Sequence, residues 1–161
     1  MRRRAVLALA LAGCGFRSAR VVGSTLAVEA APVGTVEVAL REGAVAGARG
    51  WLGAQGVGVG EGYPRLWIEV FEVEERGVGL AVAGGEPRAR GVRLEARGRA
   101  ILERAPGQIV ADSGVISVEE GVEPGGVGGG REGALRGLGW RLGETLVRRV
   151  WGEGEPLVER M

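Results

Sequence analysis

Arg93, Arg97 and Arg99 fall on positions of one parity within a single stretch of the chain. In an extended strand, residues of one parity share a face. Three guanidinium groups on one face could hold a phosphate through bidentate hydrogen bonds. Glu95 is interleaved with them and is expected to pair with them, so a solvated, self-paired sheet face is the competing reading. Glu69, Glu72, Glu74 and Glu75 offer carboxylates for acid–base work, but on an alternating strand they read as solvated positions. Asp112 is the one aspartate and a weak candidate cation ligand without other hard ligands close by. Gly128-x-Gly130-x-x-Gly133 spells the dinucleotide fingerprint. A linker precedes it where a strand is required, and with 32 glycines in 161 residues a chance match is expected.

The missing residue types exclude more than the present ones suggest. There is no His, and every basic residue is Arg. That removes Ser-His-Asp and Cys-His catalysis, imidazole metal ligands, the Walker lysine and Schiff-base chemistry. Cys14 is the single cysteine, so no internal disulfide can form. A dispersed formal charge of +1 gives no basic patch for nucleic acid. Neither catalysis, a metal nor a cofactor is expected.

The amino end carries the sharpest signal. Met1-Arg2-Arg3-Arg4 is a positive start, and Ala5 to Leu11 is an apolar run too short to span a bilayer. This is the layout of a secretory signal peptide. Leu11-Ala12-Gly13-Cys14 resembles the lipobox of bacterial lipoproteins. That resemblance implies cleavage before Cys14 and lipidation of its thiol, and Gly15 after it implies sorting to the outer membrane. Without residues 1–13, the 21 basic residues fall by three to 18 against 20 acids, a formal charge of −2.

Those residues need elements to hold them. With 45% hydrophobic and 25% charged residues, one folded domain is expected, and 4% aromatics leave its core to Val, Leu and Ala. Residues 14–24 read as a lipidated tether, 25–151 as the domain and 152–161 as a loose tail. Thr25–Glu29 reads as a strand. Val36, Leu40, Ala44 and Ala48, then Trp51 and Leu52, predict an amphipathic helix capped by Thr35 and weakened by Gly43, Gly47 and Gly50. Gly53–Gly62 reads as a loop. A strand follows from Pro64 through Leu66, Ile68 and Val70, with Trp67 and Phe71 on its other face. Gly77–Gly85 reads as a flexible tip or a second short strand. Gly91–Glu103 alternates plainly, with Val92, Leu94, Ala96, Ala100 and Leu102 on one face. After a turn at Ala105–Gln108, Ile109–Glu119 is expected to complete a long antiparallel hairpin. Gly121–Gly130 reads as a linker, and Leu135, Leu138, Leu142, Leu146 and Val150 predict a second helix. The expected fold class is α+β: a four-stranded, mostly antiparallel sheet with both helices on one face.

The start Cys14-Gly15-Phe16, the Leu26-Ala27-Val28 strand running through Pro32 into a helix, the meander and the closing helix resemble the LptE family of lipopolysaccharide-assembly lipoproteins. The family's Asn-Thr-type segment after the first strand is missing here. The resemblance implies an outer-membrane lipoprotein, anchored on the periplasmic side through Cys14. It implies a plug inside a barrel of the LptD type that assists lipopolysaccharide delivery. Arg93, Arg97 and Arg99 are the candidate lipopolysaccharide or partner contacts, from pattern alone. The alternative is an accessory lipoprotein of a periplasmic lipid or small-molecule transport system. A lipid-sized cavity between sheet and helices would favour that alternative, and a solid core the plug.

Overall fold

The computed structural model describes residues 25–32, 37–83, 86–122 and 130–152, with backbone alone for residues 80–83 and 86–90. Among the described residues, eight elements run in the order β1 (Thr25–Ala30), α1 (Val38–Ala54), β2 (Gly58–Val59), β3 (Arg65–Ala83), β4 (Glu86–Ala105), β5 (Gln108–Asp112), β6 (Ile116–Val122) and α2 (Gly130–Val150). The class is α+β. The sheet has six strands and is mixed, where four mostly antiparallel strands were expected.

The mixture comes from β1. It pairs parallel with both β2 and β3, and parallel neighbours require a crossover, which α1 supplies. Across the sheet the order is β2-β1-β3-β4-β5, with β6 also paired to β4. Both α1 and α2 lie on one face, α1 over β1 to β3 and α2 over β4 and β6.

The long hairpin is not the expected one. β3 and β4 pair antiparallel from Arg65↔Glu103 to Ala83↔Glu86. At ~3.3 Å per residue, the 19 residues of β3 span ~60 Å. Residues 77–83 therefore continue β3 rather than forming a loose tip; cross-strand pairing overrides their glycine content. The expected partner strand Ile109–Glu119 is instead broken into β5 and β6, both on β4. The break sits at Asp112-Ser113-Gly114. Gly114 takes φ +67°, open to glycine at little cost. Its N–H donates to Asp112 Oδ1 at 2.9 Å. Ser113, buried at 3% exposure, accepts the Ala100 N–H on Oγ at 2.8 Å.

The predicted alternation of β4 holds. Leu94, Ala96, Ala100 and Leu102 are buried against the helices, with Leu66, Ile68 and Val70 beside them on β3. Gly98 breaks the row of side chains because α2 comes close. A Cβ there would lie 2.7 Å from the Glu69 carbonyl oxygen and 3.1 Å from Leu142 Cδ2. Opposite it the register slips between Val70 and Glu72, a bulge that changes which residues of β3 face the core.

The helices meet on glycine. A Cβ on Gly43 or Gly47 of α1 would lie 2.3 Å from the Arg136 oxygen or 2.0 Å from the Trp140 oxygen. On α2, a Cβ at Gly139 or Gly143 would lie 2.2 Å from the Leu40 oxygen or 1.8 Å from the Ala44 oxygen. Residues that weaken α1 by propensity are thus the ones that let the two backbones touch. Leu40, Ala44, Ala48, Leu138, Leu142 and Leu146 fill the layer between helices and sheet at 0% exposure. At the C-terminal ends of the helices, Trp51 and Trp151 pack edge to face, 6.0 Å apart.

The helix α1 starts after Glu37, whose side chain makes no capping bond. The expected cap Thr35 lies outside the described residues, as do the signal peptide, Cys14, the tether, Gly128 and tail residues 153–161. Arg148 and Arg149 close α2 at its negative end.

The outward face of the sheet as a candidate binding surface

The register of β4 builds this face. Core-facing residues alternate with Arg93, Glu95, Arg97, Arg99, Ile101 and Glu103, which point away from the helices. The three predicted arginines are therefore brought together, on one strand and one face. Their neighbours come from β3 and from β5 and β6. Arg93 lies between Arg76 and Gly121, Glu95 between Glu74 and Glu119, and Arg97 between Glu72 and Ser117. Arg99 lies opposite Glu69.

Three of these cross-strand pairs, Arg76↔Arg93, Glu74↔Glu95 and Glu95↔Glu119, set like charges directly opposite, which is unfavourable. Opposite charges along the strands, directly across and on the diagonals resolve them. Arg76 binds Glu74 and stands 3.9 Å from Glu95. Arg97 reaches Glu95 at 3.2 Å and Glu72 at 3.8 Å. Arg93 reaches Glu119 at 3.3 Å. Arg99 holds Asp112 through two parallel hydrogen bonds, one of them Nε to Oδ1 at 2.8 Å. The Glu95 carboxylate also accepts the Ser117 hydroxyl at 2.6 Å. That hydroxyl and Arg97 hold the Glu95 pKa below its ordinary value. Arg99 and the Gly114 N–H do the same for Asp112, with desolvation opposing.

The face is thus a self-compensated ladder of arginines and acids. Each exposed pair contributes little stability on its own, but together they set what can bind. An anion has to compete with carboxylates already in place. Arg99 is the least available, with its side chain 37% exposed and both arms engaged by Asp112. Arg93 is the most available of the predicted three, 53% exposed with one acid partner. It lines a shallow groove of about 260 Å³ with Arg76, Gly77, Val78, Glu95 and Glu119.

Of the predicted acids, Glu69, Glu72 and Glu74 belong to this ladder. Glu75 lies across β3 from them and pairs with Arg131 at 3.2 Å; Arg131 also binds Glu37 at 3.0 Å. Arg76 and the partners Asp112, Ser117 and Glu119 were not foreseen as part of the face. Glu72, Glu74 and Arg76 do share strand parity, but the bulge and the pairing register cannot be counted from the sequence. Also unforeseen is a stack at the end of β3. The Arg65 guanidinium lies 4.9 Å from the ring centres of both Tyr63 and Trp67. The Trp67 indole N–H donates to Glu103 at 3.0 Å.

Among the described residues, no three potential metal ligands cluster, and no helix is long and apolar enough to cross a membrane.

The fold is similar to that of a solved structure, a minor lipoprotein from Acinetobacter baumannii. The likeness has a TM-score of 0.51 at 15% identity and covers 81% of this chain and 94% of that one. At that identity it establishes shared architecture. No family model and no curated protein matches the sequence.

Proposed function

We propose that the protein is an outer-membrane lipoprotein of the LptE kind. It is anchored on the periplasmic side through a lipidated Cys14, with residues 1–13 as the removed signal and 14–24 as the tether. It plugs a barrel of the LptD type and assists lipopolysaccharide assembly at the cell surface, without catalysis or cofactor.

The observation that carries this reading is the shared architecture with a minor lipoprotein over 94% of that chain, joined to the lipobox at Leu11–Cys14. The outward face suits the role. Barrel interiors are polar, and a ladder of paired arginines and acids presents donors and acceptors to such a wall without bringing a large net charge. The layer between helices and sheet is filled by buried Leu and Ala, as a rigid plug requires. The alternative, an accessory lipoprotein of a lipid or small-molecule transporter, would hold its ligand in that same layer and is disfavoured by its packing. Among the candidate arginines, Arg93 is the best placed to meet a lipid phosphate. Arg97 and Arg99 serve chiefly to order the face.

Affinity purification of the native protein from outer membranes, with partners identified by mass spectrometry, tests the reading. Recovery of a β-barrel, with surface lipopolysaccharide reduced on depletion, is expected. No barrel and unchanged lipopolysaccharide would refute it.

A further inference from the structure

We propose that the margin of the sheet where the chain enters at Thr25 is a lipid-contacting surface, on which the anchored protein stands against the leaflet. This rests on the lipid-anchor half of the proposed function, not on the barrel.

The pairing register assembles the margin. Leu26 pairs with Val59, Ala27 with Arg65, Arg65 with Glu103, and Glu103 with Ile109. Val59, Tyr63 and Ile109 therefore lie along one end of the sheet, across five strands and ~20 Å at ~4.8 Å per strand. The side chains there are unusually bare: Val59 is 53% exposed, Tyr63 39%, Ile109 56% and Val110 38%. Tyr63 adds a ring with a polar tip, the amphipathic form that suits the boundary between hydrocarbon and water. Arg65 lies 3.4 Å from Glu29, and the two cations of this end, Arg65 and Arg104, are outnumbered by Glu29, Glu61 and Glu103. Attraction is thus apolar, and anionic headgroups add little.

Chain length decides what covers this end. From Cys14 to Thr25 the tether has eleven steps, at most ~40 Å when fully extended and ~20 Å as a relaxed coil. A lipid on Cys14 thus keeps the Thr25 margin within ~40 Å of the leaflet. The far end of β3 lies ~60 Å from it and points away.

Cys14, the one thiol, allows a test that does not depend on cellular lipidation. The protein is coupled through Cys14 to a maleimide-headgroup lipid in phosphatidylcholine vesicles, and amide hydrogen exchange is compared with that of the same protein capped at Cys14 without vesicles. Exchange is expected to slow several-fold over 58–65 and 104–110 and to stay unchanged around Val78. The double variant Val59→Ser/Ile109→Ser, altering two exposed side chains, is expected to return those rates toward the free protein. Equal exchange with and without the tether, protection centred on Val78 or on Trp140, or protection that requires anionic lipid would each overturn the proposal. Separately, the mass of the Cys14 peptide from bacterial membranes reports the anchor. An unmodified thiol there would sink the lipoprotein reading while leaving the exchange result on the synthetic tether to stand or fall alone.

Discussion

Replacing glycine by alanine should change stability in opposite directions at positions that sequence propensity treats alike. In a helix interior the substitution ordinarily stabilises by ~0.5–1 kcal/mol, because glycine loses the most backbone entropy on folding. At Gly137 of α2 the new methyl would find its nearest neighbour, a Glu120 carboxylate oxygen, at 3.7 Å, an ordinary contact. Gly137→Ala should therefore gain that amount. At Gly47 and Gly143 the methyl would lie 2.0 Å and 1.8 Å from backbone oxygens of the opposite helix. Carbon and oxygen ordinarily approach no closer than ~3.3 Å, so the helices must separate by more than 1 Å along the seam. Overpacking of this kind costs ~1–3 kcal/mol, and a rigid backbone neighbour puts it at the upper end. After the propensity gain, the net loss is ~2 kcal/mol for each single variant. With a urea m-value of ~2 kcal/mol/M, the unfolding midpoint drops by ~1 M, measured by tryptophan fluorescence. Once one methyl has parted the helices the second should cost less, so Gly47→Ala/Gly143→Ala is expected to be sub-additive. The reasoning fails if Gly47→Ala or Gly143→Ala unfolds at the same or higher urea than the parent.

Ser113→Ala should lower stability by ~1–2 kcal/mol in the same assay, because the buried Ala100 N–H loses its acceptor; an unchanged midpoint would mean another acceptor replaces the hydroxyl. Asp112 and Glu95 have pKa values below their ordinary ones in the folded state. Their contribution is therefore present above the unfolded value of ~4 and lost as pH falls below it. Stability against urea should decline on acidification below about pH 4, and less steeply in Asp112→Asn; parallel pH profiles would contradict the assignment. Arg93→Glu should weaken retention of lipopolysaccharide by the purified protein more than Arg99→Gln does, since Arg93 has one acid partner and Arg99 is gripped by Asp112. The reverse order in a pull-down would remove Arg93 from the proposed contacts. Cys14→Ala is expected to abolish fatty-acid labelling, and labelling that persists in the variant would contradict the anchor.

What the sequence revealed followed from local periodicity. The α2 stripe and the β4 alternation were legible because each residue's burial depends on its own element's period. The hairpin of β3 and β4 was not, because Gly77–Gly85 has the composition of a loop and only the ladder on β4 makes residues 77–83 a strand. The division of β5 from β6 was legible in principle: Asp112-Ser113-Gly114 is a turn signature, hidden by the alternation running through it. The arginine face was half visible. Parity placed Arg93, Arg97 and Arg99 together with Glu95, but Glu72 and Asp112 come from strands whose register on β4 passes through a bulge, and Glu119 comes from β6, a strand not separated from β5 by its periodicity.

The glycine content and the shortage of aromatics describe one physical arrangement. A core of Leu, Val and Ala has short side chains. It reaches close packing only if the elements themselves come nearer. Gly43, Gly47, Gly139 and Gly143 let α1 and α2 meet backbone to backbone, and Gly98 lets Leu142 approach the sheet. Each of these glycines weakens its own element while permitting a contact between elements, so propensity alone misreads α1. Restoring bulk at one seam position therefore cannot be offset by trimming a distant core residue: the clash is with a carbonyl oxygen of the facing helix, not with a side chain. Seam glycines should accordingly resist rescue by second-site substitutions such as Leu138→Ala, which would add a cavity to the separation already imposed.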